Sequence, residues 1–243
     1  MPGDDTLPGR HRGRATIGAV TSERTGPRPD PTGRVDSAGG WRGSLWPRHR
    51  PVRRYGQLFL GLALQGQGTA LMVHAGVGNM PWDVLHEGLW LVTGTLTLGA
   101  WMTIASLVVL LAWIPLRQRP GTGTFFNTFT AGIWADLGLW LLPVPDDLWV
   151  RVATAVLGIL AHGVGTAAYL GAGLGPGPRD GLMTGLVART GRSVRAVRTT
   201  IEVGAVGVGF ILGGTIGFMT LAYALLVGQV IQSTLPAVRV SRL

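Results

Sequence analysis

The chain has 243 residues, of which 47% are apolar and only 14% are charged, with a formal net charge of +9. Soluble domains usually carry about 25% charged residues, so the composition argues against an ordinary soluble domain. The lack of cysteine excludes disulfides, thiolate metal sites and cysteine catalysis. Every basic residue is arginine, and residues 55–236 hold only eight arginines and seven acids, as expected for a membrane body with charged loops.

The first segment, residues 1–51, is rich in Pro, Gly, Arg, Ser and Thr and has no apolar period. It buries too little surface to offset chain entropy, so we predict a disordered tail. No signal-peptide core precedes Tyr55. At the other end, residues 237–243 are predicted to form a short cytoplasmic tail.

Six apolar runs follow in chain order and predict an all-α, polytopic membrane protein with about six transmembrane helices. Most runs reach the roughly 20 residues that a spanning helix needs. The fifth is short and glycine-rich, so five spans remain the alternative. The runs are Tyr55–Ala75, Leu96–Leu116, Thr124–Leu142, Leu148–Gly171, Val197–Leu212 and Thr215–Leu235.

The arginines favour an even number of spans. They cluster at residues 48–54, 117–119, 179–198 and 239–242, and six spans place all four clusters on one side of the bilayer. The positive-inside rule then predicts a multi-pass protein of the inner membrane with both termini in the cytoplasm.

The chain matches itself at a shift of 97 residues, without a gap from Gly61 to Gly94. The first membrane repeat is therefore predicted at residues 52–142 and the second at 148–236. Because each repeat has three spans, an odd number, the two repeats must be inverted relative to each other. Matching tripeptides are Gly68-Thr69-Ala70 with Gly165-Thr166-Ala167 and Pro81-x-Asp83 with Pro178-x-Asp180.

A glycine-rich turn and a short helix follow the first span of each repeat. Each short helix is too short to cross the bilayer, so we predict a re-entrant or interfacial helix. Proline suits the first helical position, and a half-helix start attracts an anion or a polar substrate. The candidate substrate-binding residues here are Gly76, Gly78, Gly173 and Gly175 in the turns and Pro81 and Pro178 at the helix starts.

Asp83 and Asp180 lie near the third position of these short helices. Two hypotheses stay open with equal weight. Either the carboxylates contact a substrate, or they cap the amides of their own helix.

The sequence resembles the YczE/YitT-like family of bacterial membrane proteins, and its YczE branch in particular. The resemblance covers about residues 52–236. It implies a multispan inner-membrane protein, but no named substrate and no catalytic residues. The motifs that carry it are G-x-G-x-x-P-W-D-V-L-H at Gly76–His86, P-x-D-G-L within Gly171–Gly185, and Arg198-x-x-x-Glu202.

Several polar residues fall within the predicted spans, where they usually face a cavity or a partner. Gln65 and His162 are equivalent at the 97-residue shift, so they are candidates for a shared site, or for a hydrogen bond between helices. Asn127 and Asp136 lie on the third span, and Asp136 is a candidate proton-relay acid or a partner of an arginine near the outer end, such as Arg151. Arg198 and Glu202 have the i,i+4 spacing of a structural ion pair.

These features favour a small-solute transporter or permease of unknown substrate. The alternative is a non-transporting scaffold or accessory protein for a partner complex. The sequence contains neither H-E-x-x-H nor G-x-S-x-G, so we predict no enzyme activity, no metal and no cofactor. The predicted partners are the lipid bilayer and a small solute, without nucleic acid, and the sequence leaves the oligomeric state open.

Overall fold

The structure is a computed structural model that describes residues 50–240. Over this range all regular structure is helical, as the sequence predicts. The predicted disordered tail lies outside the described residues except for its last two, and residues 241–243 of the predicted C-terminal tail lie outside them as well. The helices are α1 (Pro51–Ala75), α2 (Pro81–Thr93), α3 (Leu98–Leu116), α4 (Thr122–Leu141), α5 (Leu148–Gly171), α6 (Pro178–Thr190), α7 (Val194–Ile211) and α8 (Phe218–Val238).

Each of the six apolar runs coincides with a long helix, and the two short segments form α2 and α6, of 13 residues each. Three helices, α3, α5 and α8, are long and apolar enough to cross a membrane by length and composition. Helix starts follow local chemistry. The hydroxyls of Thr97 and Ser193 accept bonds from the amides of Ala100 and Ala196 at 3.1 and 3.2 Å, which caps α3 and α7.

The last four helices have the same order of long and short helices as the first four. Helices α5 and α6 begin 97 residues after α1 and α2, whereas α7 and α8 begin 96 residues after α3 and α4. The one-residue difference falls in the loop after the short helix, at residues 94–97 in the first half and 191–193 in the second. Equivalent positions are therefore 97 residues apart before this loop and 96 apart after it.

In contrast to a soluble protein, large apolar side chains lie on the surface and several polar side chains are buried. Large apolar side chains are exposed along the helices, including Leu111, Ile133 and Leu221 at 63–66%. Polar side chains such as Asn79, Asp83 and His86 are at most 1% exposed. A contiguous apolar surface of this extent favours contact with lipid.

The centre of the fold is the close crossing of α1 and α5. A Cβ atom at Gly68 would lie 2.6 Å from the backbone nitrogen of His162, and one at Gly165 would lie 2.6 Å from that of Gln65. Glycine is required where backbones approach so closely. The crossing brings the segments of α1 and α5 that carry Gln65 and His162 into contact.

The short helices pack against the opposite half with complementary sizes. Val84 on α2 meets Gly209 on α7, and a Cβ at Gly209 would lie 2.5 Å from the Val84 carbonyl carbon. At the equivalent positions Gly181 on α6 meets Trp113 on α3, whose ring atom Cζ2 would lie 1.9 Å from a Cβ at Gly181. Large and small residues have therefore changed places between the two contacts.

The two halves differ in how their last two helices pack. Helices α3 and α4 lie close together, because Gly99 and Gly132 bring their backbones into contact; a Cβ at Gly132 would lie 2.2 Å from the Gly99 oxygen. At Gly228, equivalent to Gly132, a Cβ would meet no atom of residues 50–240 within 4 Å outside its own turn of helix. Helices α7 and α8 are not packed against each other along their length.

Candidate functional site: a polar cavity between the two halves

A cavity of about 250 Å³ lies where the two halves meet. All eight helices contribute to its wall. Its polar lining includes Gln65, Thr69, Asp83, Asn127, His162, Thr166, Arg179, Asp180, Arg198 and Glu202. Five of these, together with Pro178, belong to the substrate-binding residues that the sequence predicts, namely Gln65, His162, Asn127, Asp83 and Asp180.

The predicted glycines shape the turns and do not line the cavity. The φ angles of Gly76 and Gly78 are 59° and 126°, and those of Gly173 and Gly175 are 67° and 130°. Residues with a Cβ rarely adopt φ angles in this positive range. A Cβ at Gly78 would also lie 2.8 Å from Gly217. These four glycines therefore shape the two turns, and their part in substrate binding stays a prediction.

Reciprocal arginines fix the ends of the two central helices. Arg54 Nη1 donates to the carbonyl of Ala172 at 2.9 Å, and its equivalent Arg151 donates through Nε to the carbonyl of Ala75 at 2.7 Å. Each arginine thus satisfies a helix-end carbonyl of the other half. Because the start of each helix meets the end of the other, α1 and α5 run antiparallel.

Asp83 has 1% of its surface exposed and bonds across helices. Its Oδ2 accepts from the Thr69 hydroxyl at 3.0 Å, and its Oδ1 lies 3.0 Å from His86 Nδ1. No amide of α2 donates to this carboxylate in the structure, so the capping hypothesis does not describe Asp83. The side chain instead ties α2 to α1 at the cavity wall.

Asp180 takes a different partner from its equivalent. Its Oδ2 accepts from the Tyr169 hydroxyl at 2.5 Å. Thr166, equivalent to Thr69, is 8% exposed and lines the cavity. Its Oγ1 is buried and has no hydrogen-bond partner among residues 50–240.

The two half-helix starts meet through Trp82 and Arg179, which occupy equivalent positions. The guanidinium carbon of Arg179 lies 4.9 Å from the centroid of the Trp82 ring, the geometry of a cation–π contact. The guanidinium also lies 3.9 Å from Asp83 Oδ1. Arg179 therefore reaches across the cavity from α6 to α2.

A second pair of equivalent contacts crosses the centre. Asn127 Nδ2 donates to Gln65 Oε1 at 3.2 Å in one half. In the other half the Tyr223 hydroxyl lies 3.1 Å from His162 Nδ1. Both contacts join a first-span residue to the last helix of its own half.

Arg198 and Glu202 form the ion pair expected from their spacing, with Nε and Oε1 2.8 Å apart. The pair also lines the cavity, at positions equivalent to Met102 and Ser106 on α3. The pairing places one arginine and one glutamate on the α7 wall of the site.

Asp136 does not line this cavity, and its role as a site residue stays a prediction. Its carboxylate accepts from the Thr97 hydroxyl at 2.6 Å and from the Gly99 amide at 2.8 Å. It therefore anchors the start of α3 to α4. Arg151, its suggested partner, bonds instead to Ala75. Pro81 begins α2 but, unlike Pro178, does not line the cavity.

Glu87 is a buried acid outside the cavity that the sequence analysis did not single out. It accepts from Asn79 Nδ2 at 2.8 Å and from the Thr215 hydroxyl at 3.0 Å. It thereby joins α2 to the loop between α7 and α8. Within the described range no group of three or more His, Cys, Asp or Glu side chains is placed to hold a metal ion.

Sequence reasoning also missed Thr69, Thr166, Tyr169, Trp82 and Arg179 as cavity residues. The signal was available for some of them. Thr69 and Thr166 fall in the matched tripeptides, and Trp82 and Arg179 are the variable positions of the two Pro-x-Asp motifs. Tyr169 has no polar equivalent in the first half, where Met72 stands, so self-comparison gives no signal for it.

An all-helical body with an apolar exterior and a polar interior defines the class, a helical membrane protein. Over residues 52–235 the chain belongs to a family of unknown function, DUF6198.

Relatives in this class cover most of the chain. An uncharacterized protein of Haemophilus influenzae is 37% identical over 78% of this chain and 85% of its own. The uncharacterized membrane protein YczE of Bacillus subtilis is 33% identical over 76% of this chain and 86% of its own. The uncharacterized protein YyaS of the same organism is 28% identical over 74% of this chain and 90% of its own. The YczE resemblance is thus confirmed, and no solved structure matches the chain.

Proposed function

We propose that this protein is a small-solute transporter of the inner membrane, with its substrate site in the cavity between the two halves. The observation that carries the proposal is the cavity itself. It gathers three acids and two arginines inside a body whose exterior is apolar. Ionisable groups at membrane depth are costly and usually mark a pathway for substrate or ions.

The proposed topology has six spans, α1, α3, α4, α5, α7 and α8, arranged as two inverted three-span repeats. The equivalent helix bounds and the reciprocal contacts of Arg54 and Arg151 support it. In this topology α2 and α6 are re-entrant helices that approach each other from opposite sides. Arg117, Arg119, Arg189, Arg192 and Arg195 then lie on the cytoplasmic side together with both termini, whereas Arg179 and Arg198 face the cavity.

The unequal packing of the two halves supports alternating access. One wall of the cavity is closed where α3 meets α4, whereas α7 and α8 stand apart on the other side. If each half adopts the conformation of the other, the closed and open walls exchange. Rocking of repeats around a fixed central site is the mechanism of many transporters built this way.

Uptake into vesicles that contain the purified protein tests the proposal. We expect saturable, substrate-dependent flux for at least one member of a broad solute panel, and loss of that flux in Asp83→Asn with normal amounts of folded protein. Absence of flux across the panel, with stable co-purification of one partner, would identify a scaffold or accessory protein instead.

Reporter fusions test the topology separately. Fusions at Arg119 and Arg189 are expected to report the same side of the membrane. Reports from opposite sides would contradict the six-span arrangement whatever the transport result.

A further inference from the structure

Arg179 presents its hydrogen-bond donors to the cavity without an acceptor. A guanidinium carries five N–H donors. The contact with Asp83 is 3.9 Å, too long for a hydrogen bond, and the Trp82 ring compensates charge without binding a particular N–H. No residue from 50 to 240 accepts a hydrogen bond from Arg179, whereas Arg198 in the same cavity is engaged by Glu202 at 2.8 Å.

We infer that the cavity binds a small zwitterion that carries a carboxylate and an ammonium group, as an α-amino acid does, with Arg179 as the partner of the carboxylate. This inference rests on the proposed function and names the substrate class of the same site. A carboxylate fits a guanidinium because two parallel N–H···O bonds match its geometry.

Thr166 gives an independent indication of a bound molecule. Its hydroxyl lines the cavity, is buried, and has no partner among the described residues. Buried polar groups are nearly always hydrogen-bonded in native structures. Its equivalent, Thr69, donates to Asp83, so the orphan hydroxyl is a departure from the pattern of the other half. A ligand in the cavity supplies the missing partner.

The charge balance selects the ammonium group. The lining holds Asp83, Asp180 and Glu202 against Arg179 and Arg198, an excess of one negative charge. A phosphate adds further negative charge in a medium where uncompensated charge is expensive, whereas a zwitterion adds none. Tyr169 bonds one oxygen of Asp180, and the other oxygen can accept from an ammonium.

Ligand binding to the full-length protein in detergent tests this. The probes are the standard α-amino acids, acetate (carboxylate alone), ethylamine (ammonium alone) and inorganic phosphate. Binding is measured by isothermal titration and by the shift in unfolding temperature. We expect at least one α-amino acid to bind more tightly than acetate, ethylamine or phosphate.

Substitutions then assign the two poles. Arg179→Gln is expected to weaken both the amino acid and acetate by roughly tenfold to a hundredfold. Asp180→Asn is expected to weaken the amino acid and leave acetate unchanged. Arg192→Gln, on the exposed loop after α6, is the matched control and should bind like the parent. If Arg179→Gln does not fold, Arg179→Lys keeps the charge and still loses the paired geometry.

The results separate this inference from the proposed function. Binding of no amino acid, tighter binding of phosphate or ethylamine, or unchanged binding in every folded Arg179 variant would overturn the zwitterion site. Amino-acid binding at Arg179 without flux in vesicles would overturn the transporter proposal alone. Flux of a solute of another class, without amino-acid binding, would overturn the substrate class alone.

Discussion

Arg54 donates a hydrogen bond to the carbonyl of Ala172, 118 residues later in the chain. The equivalent Arg151 reaches the carbonyl of Ala75. The second half therefore completes the helix end of the first, and the first completes that of the second. From the sequence, Arg54 was related to membrane topology and Arg151 to an acidic partner. In the structure each arginine instead bonds a carbonyl at a helix end of the other half.

Substitution of either arginine is expected to destabilise the protein. Arg54→Gln and Arg151→Gln each remove a charge-assisted bond and should lower the free energy of unfolding by about 1–3 kcal/mol, with the larger loss at the buried Arg54. Denaturant unfolding in detergent measures the change. Arg192→Gln should stay within about 0.5 kcal/mol of the parent. Equal behaviour of all three variants would contradict the helix-end role.

Replacing each of the two equivalent threonines of the cavity by valine should have different effects on the stability of the protein. Thr69→Val removes a donor to the buried Asp83 and is expected to cost about 1–3 kcal/mol of unfolding free energy. Thr166→Val removes a buried hydroxyl without a partner in residues 50–240, so stability should hold or rise slightly. Thermal unfolding of both variants compares them directly, and a loss at Thr166 as large as at Thr69 would show that its hydroxyl has a structural partner.

Size complementarity at the short helices gives a rescue experiment. Gly181→Val places methyl groups where Trp113 lies and is expected to destabilise by about 1–3 kcal/mol through overpacking. Adding Trp113→Gly reproduces the Val84–Gly209 arrangement of the other half. Part of the loss should return, although the bond from Trp113 Nε1 to the Pro178 carbonyl is lost. Additive losses in the double variant would refute the equivalence of the two contacts.

Because α3 and α4 pack closely whereas α7 and α8 do not, alanine should be tolerated less well at Gly132 than at the equivalent Gly228. Gly132→Ala forces α3 and α4 apart, because its Cβ would meet the Gly99 oxygen at 2.2 Å, so unfolding temperature should fall. The new methyl group of Gly228→Ala meets no atom of another helix within 4 Å in the described part of the chain, and a Gly-to-Ala change inside a helix should stabilise by up to about 1 kcal/mol. Destabilisation by Gly228→Ala would indicate that α7 and α8 already pack closely.

Much of the fold could be predicted from the sequence. Apolar run length predicts the six long helices, and Pro81 and Pro178 predict the starts of α2 and α6, because proline is favoured at the first position of a helix. The 97-residue self-match located the repeat. It could not locate the one-residue change of register after Gly94, because the hydrophobic helices that follow carry few distinctive residues.

The site was harder to predict because its residues are brought together by packing between the halves. Gln65 and His162 were found because they are polar, equivalent and within spans. For Asp136 the sequence does not reveal whether a carboxylate on a helix face points to a cavity or, as its bonds to Thr97 and Gly99 show, to the start of a neighbouring helix. Arg179 was read as a loop cation, since nothing local shows that Trp82 lies opposite it.

Glu87 has a consequence for how the chain is made. Its carboxylate is shared between Asn79, eight residues before it, and Thr215, 128 residues after it. While the ribosome is still producing the second half, this acid has its early partner only. A buried acid of the first half therefore gains its full set of partners only after the loop between α7 and α8 has been synthesised.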